Sequence, residues 1–231
     1  MNMLYKKILF INIFLLFTFF AIAQDVTSLI QKVRTKIELV NSYEADGIMK
    51  TNVSFLKVPQ AKVKIYFKKP DKLKIKNESG ISLVPKSILG IGLTNLLKGN
   101  FTALDAGADL VNNNKVKVVK LIPVDDNGAI VLSTLYIDEI HLVILKAKIT
   151  TKENGTYEIE MDYGKYIDYA LPDKITCTFN IKDYKLPKGV TLDYDDGSKK
   201  SSDKKLQDTR GKVEIIYSAY AINKKIADTE F

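Results

Sequence analysis

The sequence predicts a single domain of mainly β structure with some α-helix, built on an antiparallel sheet. Three observations lead to this fold class. Apolar and polar residues alternate with a period of two along much of the chain, turn sequences separate the alternating segments, and one helical pattern precedes them. Strands of this kind have one apolar and one solvated face, which is typical of antiparallel sheets that cover a core on one side.

The first 23 residues have the three parts of a secretory signal peptide. Lys6 and Lys7 form a positive segment, residues 8–20 are almost wholly apolar, and residues 21–23 (AIA) fit a small-x-small cleavage site. We therefore predict cleavage before Gln24 and a mature protein outside the cytoplasm. The alternative is an uncleaved anchor, although the apolar run is shorter than the roughly 20 residues of a spanning helix. No Cys follows the run, so lipid attachment at a mature N-terminus is not expected.

Composition limits the expected partners. The chain has 35 Lys and Arg against 27 Asp and Glu, a formal net charge of +8, and two of the lysines lie in residues 1–23. The mature part, residues 24–231, is predicted to be one domain. Nucleic acid is not an expected partner of an exported chain. The surplus charge is interspersed with acids, as on a solvated face, and the alternatives are an anionic membrane surface or an acidic partner protein.

One helix is predicted over residues 25–40. Asp25 or Thr27 is a suitable N-cap, and Asn41-Ser42 is a suitable end. The apolar residues of this segment recur at spacings of three and four, which places them on one helical face: Val26, Leu29, Ile30, Val33, Ile37 and Val40.

Two strands with strict alternation follow the helix, over residues 62–68 and 72–76, with a turn at Pro70-Asp71. Because side chains alternate between the faces of a strand, one set of residues is predicted to face the apolar interior and the other to face water. The interior set is Val63, Ile65, Phe67, Leu73 and Ile75, and the water-facing set is Lys62, Lys64, Lys72, Lys74 and Lys76.

Further strands are predicted in the C-terminal half of the chain. Two turn sequences, residues 125–128 (DDNG) and 153–155 (ENG), indicate hairpins. Residues 195–210 are polar and charged, and they are predicted to form a mobile loop. The predicted strands cover residues 116–122, 129–137, 142–151, 156–163, 175–181 and 211–220.

Residues 85–99 form a strongly apolar segment between strands. Ser87 is a suitable helix N-cap, while Gly90 and Gly92 would each weaken a helix by about 1 kcal/mol relative to Ala. A glycine-loosened apolar helix suits a lid, and an ordinary core helix is the alternative. The large apolar residues of the segment are Ile88, Leu89, Ile91, Leu93, Leu96 and Leu97.

The sequence offers no recognisable catalytic or metal site, and we predict that the protein is not an enzyme and uses no cofactor. The single histidine, His141, lies in a turn sequence with no nucleophile elbow near it. Cys177 is the single cysteine, lies within a predicted strand and is expected to be a small buried apolar side chain. One His and one Cys do not supply the usual zinc ligands.

Four short motifs resemble those of one family of exported proteins. The helix followed by residues 42–45 (SYEA) is similar to an opening of a helix and then S-Y/F-x-A. Residues 65–73 (IYFKKPDKL) are similar to the strand-turn motif K/R-x-P-x-x-L, which is the most specific match. Residues 135–138 (LYID) resemble L-W/Y-I-D, and residues 220–231 resemble the closing pattern Y-x-I/V-N-x-x-I-x-D-x-x-F. The mature chain therefore resembles the LolA-like family of periplasmic carriers of outer-membrane lipoproteins.

The resemblance implies a half-open, unclosed antiparallel β-barrel covered by the N-terminal helix and a short lid helix. Acyl chains would lie against the concave apolar face, lined by the five interior residues named above, and Lys69 would tether the lid. Arg at that position would form forked hydrogen bonds that Lys does not. The resemblance also implies a periplasmic protein that takes an acylated lipoprotein or another lipid from an inner-membrane release complex to an outer-membrane acceptor. A binding or sensing module of the same fold that transports nothing is the alternative.

Overall fold

The protein folds around one large antiparallel sheet that does not close on itself. The computed structural model describes residues 21–53, 56–57, 59–77, 96–97, 99–125, 128–180 and 210–231. The strands of the main path follow the order β4-β3-β1-β11-β10-β9-β8-β7-β6-β5, and the short β2 pairs with β1. The predicted mainly β, unclosed antiparallel barrel is thereby confirmed. Among the described residues, no helix is both long and apolar enough to cross a membrane.

Successive strands pair as antiparallel neighbours, except that β2 pairs with β1 alone and that β4 and β5 lie at opposite ends of the strand order. Their bounds are β1 Ser42–Val53, β2 Leu56–Lys57, β3 Ala61–Lys68, β4 Lys72–Asn77, β5 Phe101–Val111, β6 Asn114–Pro123, β7 Ile130–Asp138, β8 Val143–Thr151, β9 Gly155–Asp162, β10 Lys174–Asn180 and β11 Arg210–Ile222. Two 3₁₀ turns, Ile167–Tyr169 and Asp228–Glu230, complete the described secondary structure.

The helix α1, Ala21–Ile37, lies on the concave side of the sheet, nearest β5 and the first 3₁₀ turn. It begins four residues earlier and ends three residues earlier than predicted. The prediction that Asp25 or Thr27 caps it is wrong for the full chain, because both lie inside the helix. Its end is also not at Asn41-Ser42: the last turn tightens, with the Val40 amide 3.3 Å from the Ile37 carbonyl oxygen, and β1 already starts at Ser42. The apolar face of the helix packs into the core through Val26, Leu29, Ile30 and Val33.

The core is the concave face of the sheet, where apolar residues of adjacent strands stand opposite one another. One row runs Val213, Cys177, Ile159, Ala147, Leu135 and Val119, from β11 across to β6. All six are at most 7% exposed. In the neighbouring row of residues, Phe179 stands opposite Gly211. The Phe179 ring lies so close that a Cβ added to Gly211 would be 2.6 Å from it.

The structure contains three strands that the sequence did not predict: β1, β2 and β5. The remaining predicted strand bounds agree with the structure to within two residues. Leu142, predicted as the first residue of a strand, lies in the turn before β8 with a positive φ of 53°. Nearly all of the predicted loop 195–210 and of the apolar segment 85–99 lies outside the described residues, so those two predictions stay predictions.

Candidate ligand-binding groove

The two halves of the concave face differ in how completely they are covered. On β6 to β8, the interior residues Val119, Leu135, Ala147 and Ile149 have no exposed surface. Towards the edge of this half, Phe101 and Ala103 of β5 and Ile130 of β7 are partly exposed. On the other half, formed by β4, β3, β1, β11 and the start of β10, seven large apolar or aromatic side chains remain partly exposed. We call this set the groove: Tyr43, Phe67, Leu73, Ile75, Ile175, Tyr217 and Tyr220.

Strand register places these side chains on one face. Phe67 of β3 stands opposite Tyr43 of β1 on one side and Leu73 of β4 on the other. Ile75 of β4 stands opposite Ile65, which in turn stands opposite Ala45. Because directly opposite residues project to the same side of a sheet, the groove is continuous across three strands.

A bulge in β11 brings two tyrosines to the same face. Tyr217 pairs with Gly47 and Ala219 pairs with Asp46, so Ser218 is the extra residue, and its hydroxyl donates to the Asp46 carbonyl oxygen at 3.0 Å. The bulge resets the alternation, and both Tyr217 and Tyr220 then face inward. Their rings stack with centroids 4.9 Å apart. At Gly47 the strands approach so closely that a Cβ would stand 2.7 Å from the Ile216 carbonyl oxygen.

The aromatic rings form one connected cluster at the end of the groove. Tyr43 stacks on Phe67 at 5.2 Å and meets Tyr220 edge-on at 5.4 Å. Tyr166, in the segment after β9, meets Tyr220 edge-on at 5.0 Å. Such pairs are offset or edge-to-face, the arrangements that aromatic quadrupoles favour. The cluster therefore supplies a preformed apolar surface rather than a set of independent side chains.

The groove carries apolar rings and neutral hydroxyls but no charge. Burial raises the pKa of Tyr43, Tyr217 and Tyr220 well above the ordinary value, so all three stay neutral. The Tyr220 hydroxyl donates to the Pro172 carbonyl oxygen at 2.7 Å. None of the seven groove residues is ionisable below the tyrosine range, which suits a ligand recognised by shape and apolar contact.

The five residues predicted to line a cavity divide between the groove and the core. Phe67, Leu73 and Ile75 belong to the groove, whereas Val63 and Ile65 are 4% and 1% exposed and lie in the packed core. Of the six predicted lid residues, the structure describes Leu96 and Leu97, both buried in the core at 7% and 1% exposure. Ile88, Leu89, Ile91 and Leu93 lie outside the described residues.

Sequence reasoning missed four groove residues: Tyr43, Ile175, Tyr217 and Tyr220. Tyr43 and Tyr220 lie in two of the motifs quoted above, which could have marked them. Tyr217 and Tyr220 are three positions apart, so strict alternation would place them on opposite faces of the strand. The extra residue of the bulge brings both side chains to the same face, and the sequence does not reveal that bulge.

Lys69, the predicted lid tether, binds the end of α1 in the described structure. Its ammonium group donates to the Glu38 carbonyl oxygen at 2.5 Å and to Asn41 Oδ1 at 3.2 Å. A cation at this position also complements the negative end of the helix dipole. The peptide bond between Lys69 and Pro70 is cis. Lys69 thus fixes a helix end beside the groove, and its role towards the predicted lid stays a prediction.

Neither His141 nor Cys177 belongs to the groove: His141 lies in a turn and Cys177 in the core. His141 Nδ1 lies 2.7 Å from Asp138 Oδ2, while Asp138 Oδ1 accepts the amides of Ile140 and His141, which closes the turn between β7 and β8. Burial opposes ionisation of Asp138, but these hydrogen bonds hold its pKa below the usual value. Cys177 is buried in the core, and burial raises its thiol pKa to about 12. Within the described residues, no three His, Cys, Asp or Glu side chains converge as metal ligands.

The fold resembles those of solved lipoprotein-sorting structures. A putative outer membrane lipoprotein-sorting protein domain from Vibrio parahaemolyticus is 11% identical with a TM-score of 0.58, covering 90% of this chain and 96% of that one. A LolA superfamily protein from Nitrosomonas europaea is 10% identical with a TM-score of 0.57, covering 89% and 96%. A DUF1329 family protein from Desulfovibrio piger is 11% identical with a TM-score of 0.54, over the same shares. No family model and no curated protein sequence matches the chain. The chain therefore has a LolA-like fold.

Proposed function

We propose that this LolA-like protein is a periplasmic carrier that binds acyl chains, of a lipoprotein or a related lipid, in the groove. The observation that carries the proposal is the partly exposed, charge-free apolar surface on the concave side of an unclosed sheet. Burial of methylene groups against such a surface stabilises binding by about 0.8 kcal/mol each. The headgroup or protein part of the ligand would remain outside, where charged side chains are available.

Full entry of an acyl chain requires displacement of part of the cover. The interior beneath α1 is fully packed, with Val33 of the helix and Leu135 of β7 both unexposed. A long ligand therefore needs the helix to move away. The predicted lid role of residues 85–99, with Gly90 and Gly92 lowering the cost of opening, belongs to this proposal.

The cellular part of the proposal rests on the N-terminal sequence. Cleavage before Gln24 would release the protein into the periplasm, where it would receive cargo from an inner-membrane release complex and deliver it to an outer-membrane acceptor. N-terminal sequencing of the exported protein is expected to begin at Gln24. Full-length protein retained in the inner membrane would contradict this.

The packed interior also supports a second candidate, a non-transporting module that recognises a lipidated or protein partner at the groove alone. A carrier should release its acyl ligand to acceptor vesicles, whereas a module of the second kind should bind without transfer. In neither case do we propose catalysis.

The test is whether the protein carries lipid and loses it when the groove is charged. Organic extracts of protein purified from its native periplasm are expected to yield acylated molecules by mass spectrometry. Phe67→Lys places a charge in the groove and should abolish the bound lipid, because an unpaired charge there is unfavourable. Ile48→Lys makes a similar change on the outer face of the sheet, where Ile48 is 37% exposed, and should retain it. Equal lipid content in both variants would refute the groove as the site.

A further inference from the structure

The outer face of β3 and β4 places like charges opposite one another. Lys64 of β3 pairs in register with Lys76 of β4, and Lys68 pairs with Lys72. On β8 and β9, by contrast, the outer pairs are complementary: Lys146 and Lys148 of β8 stand opposite Glu160 and Glu158 of β9. Like charges directly opposite destabilise a strand pair. Glu44 of β1 compensates Lys64 at 2.8 Å, so it is the surface around Lys68, Lys72 and Lys76 that favours an anionic occupant. We call Lys64, Lys68, Lys72, Lys74 and Lys76 the lysine strip.

Residues 226–231, here called the C-terminal segment, lie on this strip. Asp228 Oδ1 accepts hydrogen bonds from Lys68 and Lys72, each at 2.9 Å, and Glu230 pairs with Lys76. Asp228 thus lies between the opposed Lys68 and Lys72, whereas Glu230 lies beside Lys76, whose opposite residue Lys64 pairs with Glu44 of β1. The bonds from Lys68 and Lys72 lower the pKa of Asp228 to about 2, and the bond from Lys76 lowers that of Glu230.

The strip contacts the peptide backbone and an aromatic ring as well as the carboxylates. Lys68 Nζ donates to the Ile226 carbonyl oxygen at 3.3 Å, and Lys74 Nζ donates to the Phe231 main-chain oxygen at 3.0 Å. Lys72 Nζ stands 5.8 Å from the centroid of the Phe231 ring. Under the segment, Tyr66 of β3 is only 8% exposed although it projects to the outer face. Contacts to main-chain oxygens and to a side-chain ring favour a polypeptide over a lipid headgroup.

We infer that the lysine strip is a docking surface for an acidic peptide segment of a partner protein, and that the C-terminal segment occupies it as an internal ligand. The partner segment would carry two carboxylates two residues apart, as Asp228 and Glu230 are, followed by an aromatic residue. The surface lies on the opposite face of the sheet from the groove, so the inference does not depend on the proposed lipid binding.

The internal ligand is held in a way that permits exchange. The Asp228 side chain is 68% exposed, and those of Lys68 and Lys72 are 37% and 45% exposed. Exposed ion pairs contribute little and are screened by salt. Ile226, only 7% exposed, anchors the start of the segment. This tether gives the two carboxylates a high effective concentration at the strip, so weak ion pairs are enough to keep them docked. A free peptide should therefore bind poorly to the parent protein and well once the internal carboxylates are removed.

The test compares the full-length parent with the double variant Asp228→Asn/Glu230→Gln. The probe is a fluorescently labelled hexapeptide with the sequence of residues 226–231, IADTEF, and fluorescence anisotropy measures its affinity. The double variant is expected to bind at least about tenfold more tightly than the parent at low salt, and an increase in NaCl from about 20 to about 200 mM should weaken binding severalfold. A hexapeptide with Asn and Gln in place of the two acids should not bind.

Two controls make the outcome decisive. Glu139→Gln/Glu153→Gln removes two exposed acids from turns away from the strip and should bind the peptide no better than the parent. Adding Lys72→Gln and Lys76→Gln to the Asp228/Glu230 double variant should remove the gained binding. Equal affinity for parent and double variant, or no binding by either, would overturn the inference. If the double variant binds anionic phospholipid vesicles but not the peptide, the inference is wrong and the ligand of the strip is an anionic membrane surface.

Discussion

Gly47→Ala tests whether the bulge opposite Gly47 sets the geometry of the groove. An added Cβ would stand 2.7 Å from the Ile216 carbonyl oxygen, 3.4 Å from the Ile216 carbonyl carbon and 3.5 Å from the Tyr217 Cα, all backbone atoms that no rotamer change can move away. Strands β1 and β11 must therefore separate locally. Overpacking of this kind costs about 1–3 kcal/mol. At about 2–4 °C per kcal/mol for a chain of this size, Tm should fall by about 2–12 °C.

The measurement is urea and thermal unfolding by far-UV circular dichroism, with Gly99→Ala as the matched control. A Cβ at Gly99 meets nothing within 4 Å, so this variant should be unchanged or slightly more stable through a less flexible unfolded chain. Gly47→Ala should also weaken binding of an acyl ligand, because Tyr217 moves with the strand. If Gly47→Ala is as stable as Gly99→Ala, the close approach of the two strands is not a constraint and the reasoning is wrong.

Three further predictions concern the core, the C-terminal segment and the lid. Ile65→Ala, at a 1% exposed core position, should lower the free energy of unfolding by about 2–5 kcal/mol, whereas Ile48→Ala on the exposed face should cost under about 1 kcal/mol in the same urea titration. The pKa of Asp228 is depressed from 3.8 to about 2, so docking of the C-terminal segment should be complete above about pH 4 and be lost as the pH falls towards 2. The measurement is the amide NMR shifts of residues 226–231 as a function of pH. Shifts that move between pH 7 and 5 would contradict the prediction. Amides of residues 85–99 should exchange with deuterium before those of β3 in the lipid-free protein and more slowly with lipid bound, whereas equal protection in both states would make the segment part of the core.

The strands with clean alternation could be predicted from the sequence, and those built from small residues could not. β3 and β4 alternate Lys with large apolar residues, and their predicted faces agree with the burial of Val63 and Ile65. β1 places Ala45, Gly47 and Met49 on the inner face, so its apolar signal is weak although its position is central. β5 contains Ala103, Ala106, Gly107 and Ala108, and a bulge between Asp105 and Ala108 interrupts its period.

The groove could be predicted only in part, for a similar reason. The alternation of apolar and polar residues shows which way Phe67, Leu73 and Ile75 face. It does not show how far they are exposed, because exposure depends on the other parts of the chain that cover them. The C-terminal segment shows the same limit. The alternation correctly places Lys68, Lys72 and Lys76 on the outer face, yet their pairing with Asp228 and Glu230 joins residues more than 150 positions apart.

The position of β4 at the end of the strand order has a consequence for selectivity. A closed barrel has an interior width fixed by its strand number and stagger. Here one wall of the groove, carrying Leu73 and Ile75, belongs to a strand that, within the described part of the chain, is bonded to a neighbour on one side only. Such a wall can shift by small amounts without breaking a ring of hydrogen bonds. The groove should therefore discriminate poorly between acyl chains of different thickness or branching, and accept mixed populations rather than one lipid species.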